Sequence, residues 1–298
     1  MLGYIYSAIA LFTGTAKGYC GKRISEFTNK TSDAMRISAL RMAVSAIFGF
    51  LFLLLQGKLS YMGLNAAGTL CILWSAIANS AFVVLWLCCV HSDAYMLVEV
   101  ALTLGVPIAV CGSACIPILN ESLRMNSVIG MLALVVAAVL MQGYNRQMHR
   151  ERLSAKELLL LIALPISSGL ADLSQKYYIV SVESADAAVF SFYTFLLSAL
   201  ILGICCLLQK QKCKIPSGAT KKILLYTAAM AICLFANMYF KTMAAAIMSS
   251  AVLYPLLQCC SMLLSLAMSA FVLKEKPTLQ AYAGVLIAVI GIVIINLK

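Results

Sequence analysis

Residues 119–132 read LNESLRMNSVIGML, and residues 273–286 read LKEKPTLQAYAGVL. Laid over each other at an offset of 154, they pair Glu121 with Glu275 and Gly130 with Gly284. The same offset pairs Gly49 with Gly203 and Lys22 with Lys176. A single register held across most of a half-chain is the mark of a duplication.

Around these blocks the sequence is a series of apolar runs about 20 residues long, the length that crosses a bilayer as a helix. They lie near 2–24, 34–56, 67–90, 93–117, 126–143, 156–180, 187–209, 222–243, 250–272 and 278–296. Pro107 and Pro255 are expected to kink the fourth and ninth. The reading is an all-α polytopic membrane protein of ten spans, divided as a first five-helix repeat (1–143), a basic linker loop (144–157) and a second repeat (158–298). Five is odd, so the second repeat enters the membrane upside down. Inverted repeats of this kind serve alternating access.

Composition agrees. The chain is 63% apolar and 11% charged, against roughly a quarter charged in soluble domains, and its mean hydropathy is +0.97. A soluble enzyme, a disordered chain and a nucleic-acid reader are excluded. The first apolar run starts at Met1 without a basic leader and continues into a span, so no cleavable signal peptide is expected.

The net charge of +11 is an orientation signal. Lys22, Arg23, Lys30, Arg36, Arg146, Arg150, Arg152, Lys156, Lys210, Lys212, Lys214, Lys221, Lys222, Lys274 and Lys276 fall on one side. Lys58, Arg124, Lys241 and Lys298 fall on the other. By the positive-inside rule both termini are external.

Twelve cysteines suggest no disulfide framework, because most lie inside apolar runs and no CxxC occurs. No metal site is expected. Neither His91 nor His149 belongs to a catalytic motif, and no GxxxxGK[ST] loop occurs, so enzyme chemistry and ATP-driven pumping are not expected. No cofactor is implied.

Ionisable groups within spans are costly and mark pathways. Glu99, Asp172 and Lys17 are the main candidates, with Arg41 and Lys176 nearer helix ends. Lys17 and Glu99 lie at similar depth below one surface, so an ion pair between them is sterically allowed. Each of these groups can instead form a purely structural pair. Asn237 and Lys241 share one face of the eighth helix, Tyr254 and Gln258 one face of the ninth, and Asn79 and Trp86 lie a heptad apart on the third. Such groups replace the hydration shell of a cargo, or else bond helix to helix. Tyr193 is a weaker candidate. Glu121 and Glu275 read as stabilisers of the helices they precede. Gly14 with Gly18, and Gly284 with Ala288 and Gly291, read as packing stripes.

The hydrophilic L-x-E-x-x segments before a final apolar helix, Lys22, and ALRM (39–42) with its Arg41 together resemble the drug/metabolite transporter superfamily, of the EamA type. Leu273–Ile294 is the strongest match. The resemblance implies a ten-helix inverted repeat carrying small metabolites, and many such relatives have cytoplasmic termini. The offset places Phe195 opposite Arg41, so any role of that arginine is not duplicated. The four-helix drug exporters of the superfamily carry a glutamate in their first span, where this chain has Lys17.

The expected function is secondary transport of a small polar or amphipathic metabolite, an amino-acid-like zwitterion being favoured. The alternatives are an organic-cation carrier and a lipid-linked-sugar flippase. Expected partners are a small-molecule substrate, the lipid bilayer and a coupling ion (H+ or Na+), with no nucleic acid. The chain is expected as a monomer or homodimer, integral to a bacterial cell membrane.

Overall fold

The computed structural model describes residues 1–27, 31–58, 65–92, 95–149, 155–209, 220–272 and 279–296. Among them the fold is all helical. The helices are α1 (Leu2–Ser25), α2 (Thr31–Leu55), α3 (Ala66–Ser92), α4 (Tyr95–Thr103), α5 (Gly105–Cys115), α6 (Met125–His149), α7 (Ala155–Ser181), α8 (Ala187–Leu208), α9 (Thr220–Ile247), α10 (Ser250–Phe271) and α11 (Leu279–Asn296). A 3₁₀ turn, Pro117–Leu119, follows α5.

The expected fourth span is two helices. Pro107 has no N–H for the carbonyl of Thr103, and its ring crowds that carbonyl. The helix therefore breaks at Leu104, whose N–H turns back to Ala101 O at 3.1 Å. Pro255 and Pro165, by contrast, lie inside continuous helices.

Five helices are long and apolar enough to cross a membrane: α2, α8 and most of α3, α9 and α10. Shorter apolar stretches occupy Ala101–Cys115, Met125–Ala137 and Tyr282–Gly291. Neither α1 nor α7 is among the five. They carry Lys17, and Asp172 with Lys176, amid serine, glycine and tyrosine, which is where a membrane protein keeps its polar interior.

The surface is apolar and the interior is partly polar. Leu55, Leu207 and Phe271 are exposed, whereas Ser38, Ser45, Ser75 and Ser198 are buried. Lipid solvates such an exterior, so association rests on close packing and interhelical hydrogen bonds. Ser45 Oγ donates to Ala231 O (3.1 Å), tying α2 to α9, and Ser198 Oγ donates to Ala76 O (3.1 Å), tying α8 to α3. The most extensive pairings are α1 with α9, α2 with α8, α3 with α7 and α6 with α11. Each joins a helix before residue 150 to one after it. Gly291 packs on Gly130 O and Ala133 of α6, so the stripe on the last helix is used within the chain.

Helices α5 and α7 meet backbone to backbone. A Cβ on Gly169 would stand 2.6 Å from Gly105 O and 2.8 Å from Ile108 Cβ, and backbone cannot rotate away. We expect Gly169→Ala to lower thermal stability in detergent by about 1–3 kcal/mol, the range for overpacking. Gly203→Ala meets nothing within 4 Å and should leave the melting temperature unchanged. A tolerated Gly169→Ala would contradict this packing.

Two ionic clusters tie the connections together. Asp186 caps α8, accepting from Ala188 N (2.7 Å) and Val189 N (3.2 Å), and Lys58 donates to it at 2.6 Å. Burial alone would raise the Asp186 carboxyl; those donors hold it below the usual carboxylate range. The second cluster corrects the expectation for Glu121. Its carboxylate does not serve the helix that follows it in sequence. It accepts from Ser250 N (2.9 Å) at the start of α10 and pairs with Lys176 at 3.1 Å. The loop folds back so that the acid meets a distant helix N-terminus, where its charge is equally favoured. Glu275 lies outside the described residues, as do Lys30, Arg150, Arg152, Lys210, Lys212, Lys214, Lys274, Lys276 and Lys298.

Candidate functional site

A cavity of about 140 Å³ lies at the centre of the bundle. Lys17, Asn79, Trp86, Glu99, Asp172, Asn237, Lys241 and Gln258 all line it, together with Phe82, Gln175 and Ser261. Six helices, α1, α3, α4, α7, α9 and α10, supply these side chains, three before and three after the midpoint. The lining runs from Ala10 to Lys17 on α1 and from Leu234 to Lys241 on α9, roughly 10 Å of helix axis in each case.

The antiparallel register of α1 and α9 fixes the two ends of the cavity. Asn237 Nδ2 donates to Ala10 O at 2.6 Å, and Tyr6 packs on Phe240 with ring centroids 6.0 Å apart. Lys241 therefore stands at one end and Lys17 at the other. At the first end Lys241 forms an ion pair with Asp172. Its ammonium also sits 5.6 Å from the Tyr254 ring centroid.

Tyr254 does not line the cavity. It is buried, and its hydroxyl donates to Asp172 O at 2.7 Å, so it positions the acid from behind. At the other end Glu99, only 6% exposed, accepts from Ser261 Oγ at 3.3 Å, and its backbone carbonyl accepts from Gln258 Nε2 at 3.0 Å. Lys17 Nζ lies 5.8 Å from the Phe82 ring centroid. Lys17 and Glu99 share this end of the cavity.

The remaining candidates have other surroundings. Asn79 turns back on its own helix, donating to Ser75 O at 2.9 Å. Lys176 faces the α9–α10 turn, its ammonium donating to Ala245 O and Met248 O at 2.8 Å each. Tyr193 packs against Phe192 in the apolar interior. Arg41 is 2% exposed at the seam of α2, α3 and α9.

Sequence reasoning passed over Gln175 and Ser261. Each follows a named candidate by three residues on the same helix, Asp172 and Gln258 respectively, and that spacing was the available signal. Gln175 donates to Met238 O at 3.0 Å and to Thr242, so much of its capacity serves the α7–α9 contact.

Among the described lining residues the formal charges balance: two lysines, one aspartate and one glutamate. A charge-balanced polar cavity thus lies within a helical bundle whose exterior suits lipid. Residues 155–297 match the model of the EamA-like transporter family. That match takes in nearly all of the second half of the chain. EamA-like transporters are a drug/metabolite transporter family, and the match together with the five long apolar helices points to a multi-pass integral membrane protein. A crystal structure described simply as that of a protein superposes on this chain with a TM-score of 0.77. It covers 99% of this chain and 96% of its own at 13% identity, which shows a shared fold across both halves. No curated protein sequence matches this chain.

Proposed function

We propose that the protein is a secondary carrier of a small amino-acid-like zwitterion, working by alternating access through ten spans arranged as two inverted repeats. The observation that carries this reading is the charge layout of the cavity. Glu99 and Lys17 put one carboxylate and one ammonium at the same end, so a solute's ammonium can face the first and its carboxylate the second. Trp86, Phe82 and Leu257 offer an apolar wall for the rest of the molecule. Asp172 and Lys241 already neutralise each other. That arrangement disfavours a simple cation, which Lys17 repels and Asp172 can receive only by leaving its partner.

Packing supports the repeat. Exchanging the halves turns α1–α9 packing into α7–α3 and α2–α9 into α8–α3, while α2–α8 and α6–α11 map onto themselves. Lys22 donates to Val90 O (3.0 Å) at the end of α3, as Lys176 donates to Ala245 O at the end of α9. The family match begins at 155 and ends at 297, close to the expected second repeat. In this reading the Glu121–Lys176 cluster fastens the face opposite the basic loops, and transport requires the two faces to open in turn.

The test is a thermal-shift panel of amino acids, quaternary amines, nucleosides and sugar phosphates, followed by flux of the best hit into liposomes under an H+ or Na+ gradient. Zwitterions are expected to stabilise the protein and to move. If no solute of any class binds or moves, the carrier reading fails.

A further inference from the structure

Arg41 has an unusual environment for a guanidinium. It is 2% exposed, yet among the described residues its Nε and Nη2 make no hydrogen bond. Its sole polar contact there is Nη1 to the Met230 thioether at 3.3 Å, a weak acceptor. No described carboxylate lies within ion-pair distance. An unpaired charge in a membrane interior costs several kcal/mol, so the fold tolerates a cation that its own side chains do not satisfy.

The local geometry gives that cation a purpose. Ser38 and Ser45, one turn to either side on α2, bond Val83 O of α3 (3.4 Å) and Ala231 O of α9 (3.1 Å). These bonds fix Arg41 where three helices meet. Met230 leads from there to the cavity wall, because its Cε and the Trp86 ring crowd the same spot above Gly21. Trp86 and Lys17 line the cavity. Nε and Nη2 lie on one edge of the guanidinium, with their N–H bonds parallel. That edge matches the two oxygens of a carboxylate.

We infer that Arg41 is a carboxylate-binding residue: its Nε/Nη2 edge receives a carboxylate group passed inward from Lys17 once Met230 and Trp86 give way. The carboxylate comes from the cargo or from a free small acid. The first source rests on the zwitterion-carrier reading; the anion site itself does not. With Glu99 and Lys17 balancing, and Asp172 and Lys241 balancing, Arg41 leaves the region one positive charge in excess, which a carboxylate removes.

The experiment exchanges sodium acetate mole for mole for sodium chloride around the purified full-length protein, and follows the melting temperature. In the unmodified protein the melting temperature should rise as acetate replaces chloride. Arg41→Met should start higher, by roughly 2–10 °C, because an unpaired buried charge is gone, and should not respond to acetate. Arg41→Lys keeps the charge but lacks the fork, so its response should be weaker. An acetate response that survives in Arg41→Met, or none in the unmodified protein, overturns the assignment. The second arm compares liposome flux of the best zwitterion with flux of its amide. A preference for the carboxylate form of about 10- to 100-fold should fall to within about twofold in Arg41→Met. An unchanged preference, with the acetate response lost, overturns the cargo as the source and assigns a free acid. Failure of the carrier reading shows separately, as absence of flux in the unmodified protein.

Discussion

Glu99→Gln is expected to weaken binding of the transported zwitterion by about 10- to 100-fold while leaving the fold intact. A charge-assisted hydrogen bond contributes about 1.5–3 kcal/mol, and Gln cannot supply it to an ammonium. Gln does keep the size of the side chain and an acceptor for Ser261 Oγ, which lies 3.3 Å from Glu99 Oε2. The backbone bond from Gln258 is unaffected, because it goes to the Glu99 carbonyl. A second consequence follows from charge. With Glu99 neutral, Lys17 and Arg41 stand in the same region without a nearby counter-charge, so a ligand with a carboxylate and no ammonium should gain relative to the zwitterion. Titrating one amino acid, its decarboxylated amine and its deaminated acid against both proteins separates these effects. Loss of the amine alone, with the zwitterion unaffected, would replace the present reading by an organic-cation carrier.

Asp172→Asn makes a useful contrast. Asp172 is already paired, so its neutralisation leaves Lys241 with the face of the Tyr254 ring and no carboxylate. Its effect should therefore fall more on stability than on affinity. The two acids occupy one cavity with different neighbours: Glu99 accepts from the Ser261 hydroxyl, and Asp172 pairs with the Lys241 ammonium.

The difference between these acids was not legible in the sequence, for a physical reason. Composition and hydropathy report what a segment is soluble in, so they located the apolar helices and even the weak point near Pro107. Helical spacing reports which residues share a face, so it grouped Asn237 with Lys241 and Tyr254 with Gln258. Neither signal reports which helices meet. The Lys241–Asp172 pair spans 69 positions and the bond from Ser250 to Glu121 spans 129; no local pattern encodes such separations. The misreading of Glu121 arose there, since a carboxylate just before a helix in sequence usually serves that helix. Arg41 was equally opaque, because a sequence cannot show that a buried donor lacks an acceptor. Its significance is visible only once Ser38 and Ser45 fix it between α3 and α9.

Lys176→Met should be among the most destabilising single changes in the protein, by about 3–5 kcal/mol, the loss found when one partner of a buried pair is removed. An ammonium has three N–H donors. Here they go to Glu121 Oε1 at 3.1 Å, Ala245 O at 2.8 Å and Met248 O at 2.8 Å, with the two side chains 6% and 13% exposed. Methionine matches the stem of the lysine but satisfies none of those acceptors. Glu121 is left holding its charge against one backbone N–H, and the last carbonyls of α9 lose a cation at the negative end of the helix dipole. Adding Glu121→Gln removes the stranded charge, so the double variant should melt above Lys176→Met alone. A cycle of the four proteins should give a coupling of about 1–3 kcal/mol. If the cluster also fastens the closed face during transport, the single variants should differ in a second respect. A thiol-reactive probe applied from that face should reach a cysteine placed at Ser249, beside the α9–α10 turn, faster in Glu121→Gln than in the parent. Equal rates, together with a large loss of stability, would assign the pair to folding and remove it from the gating step.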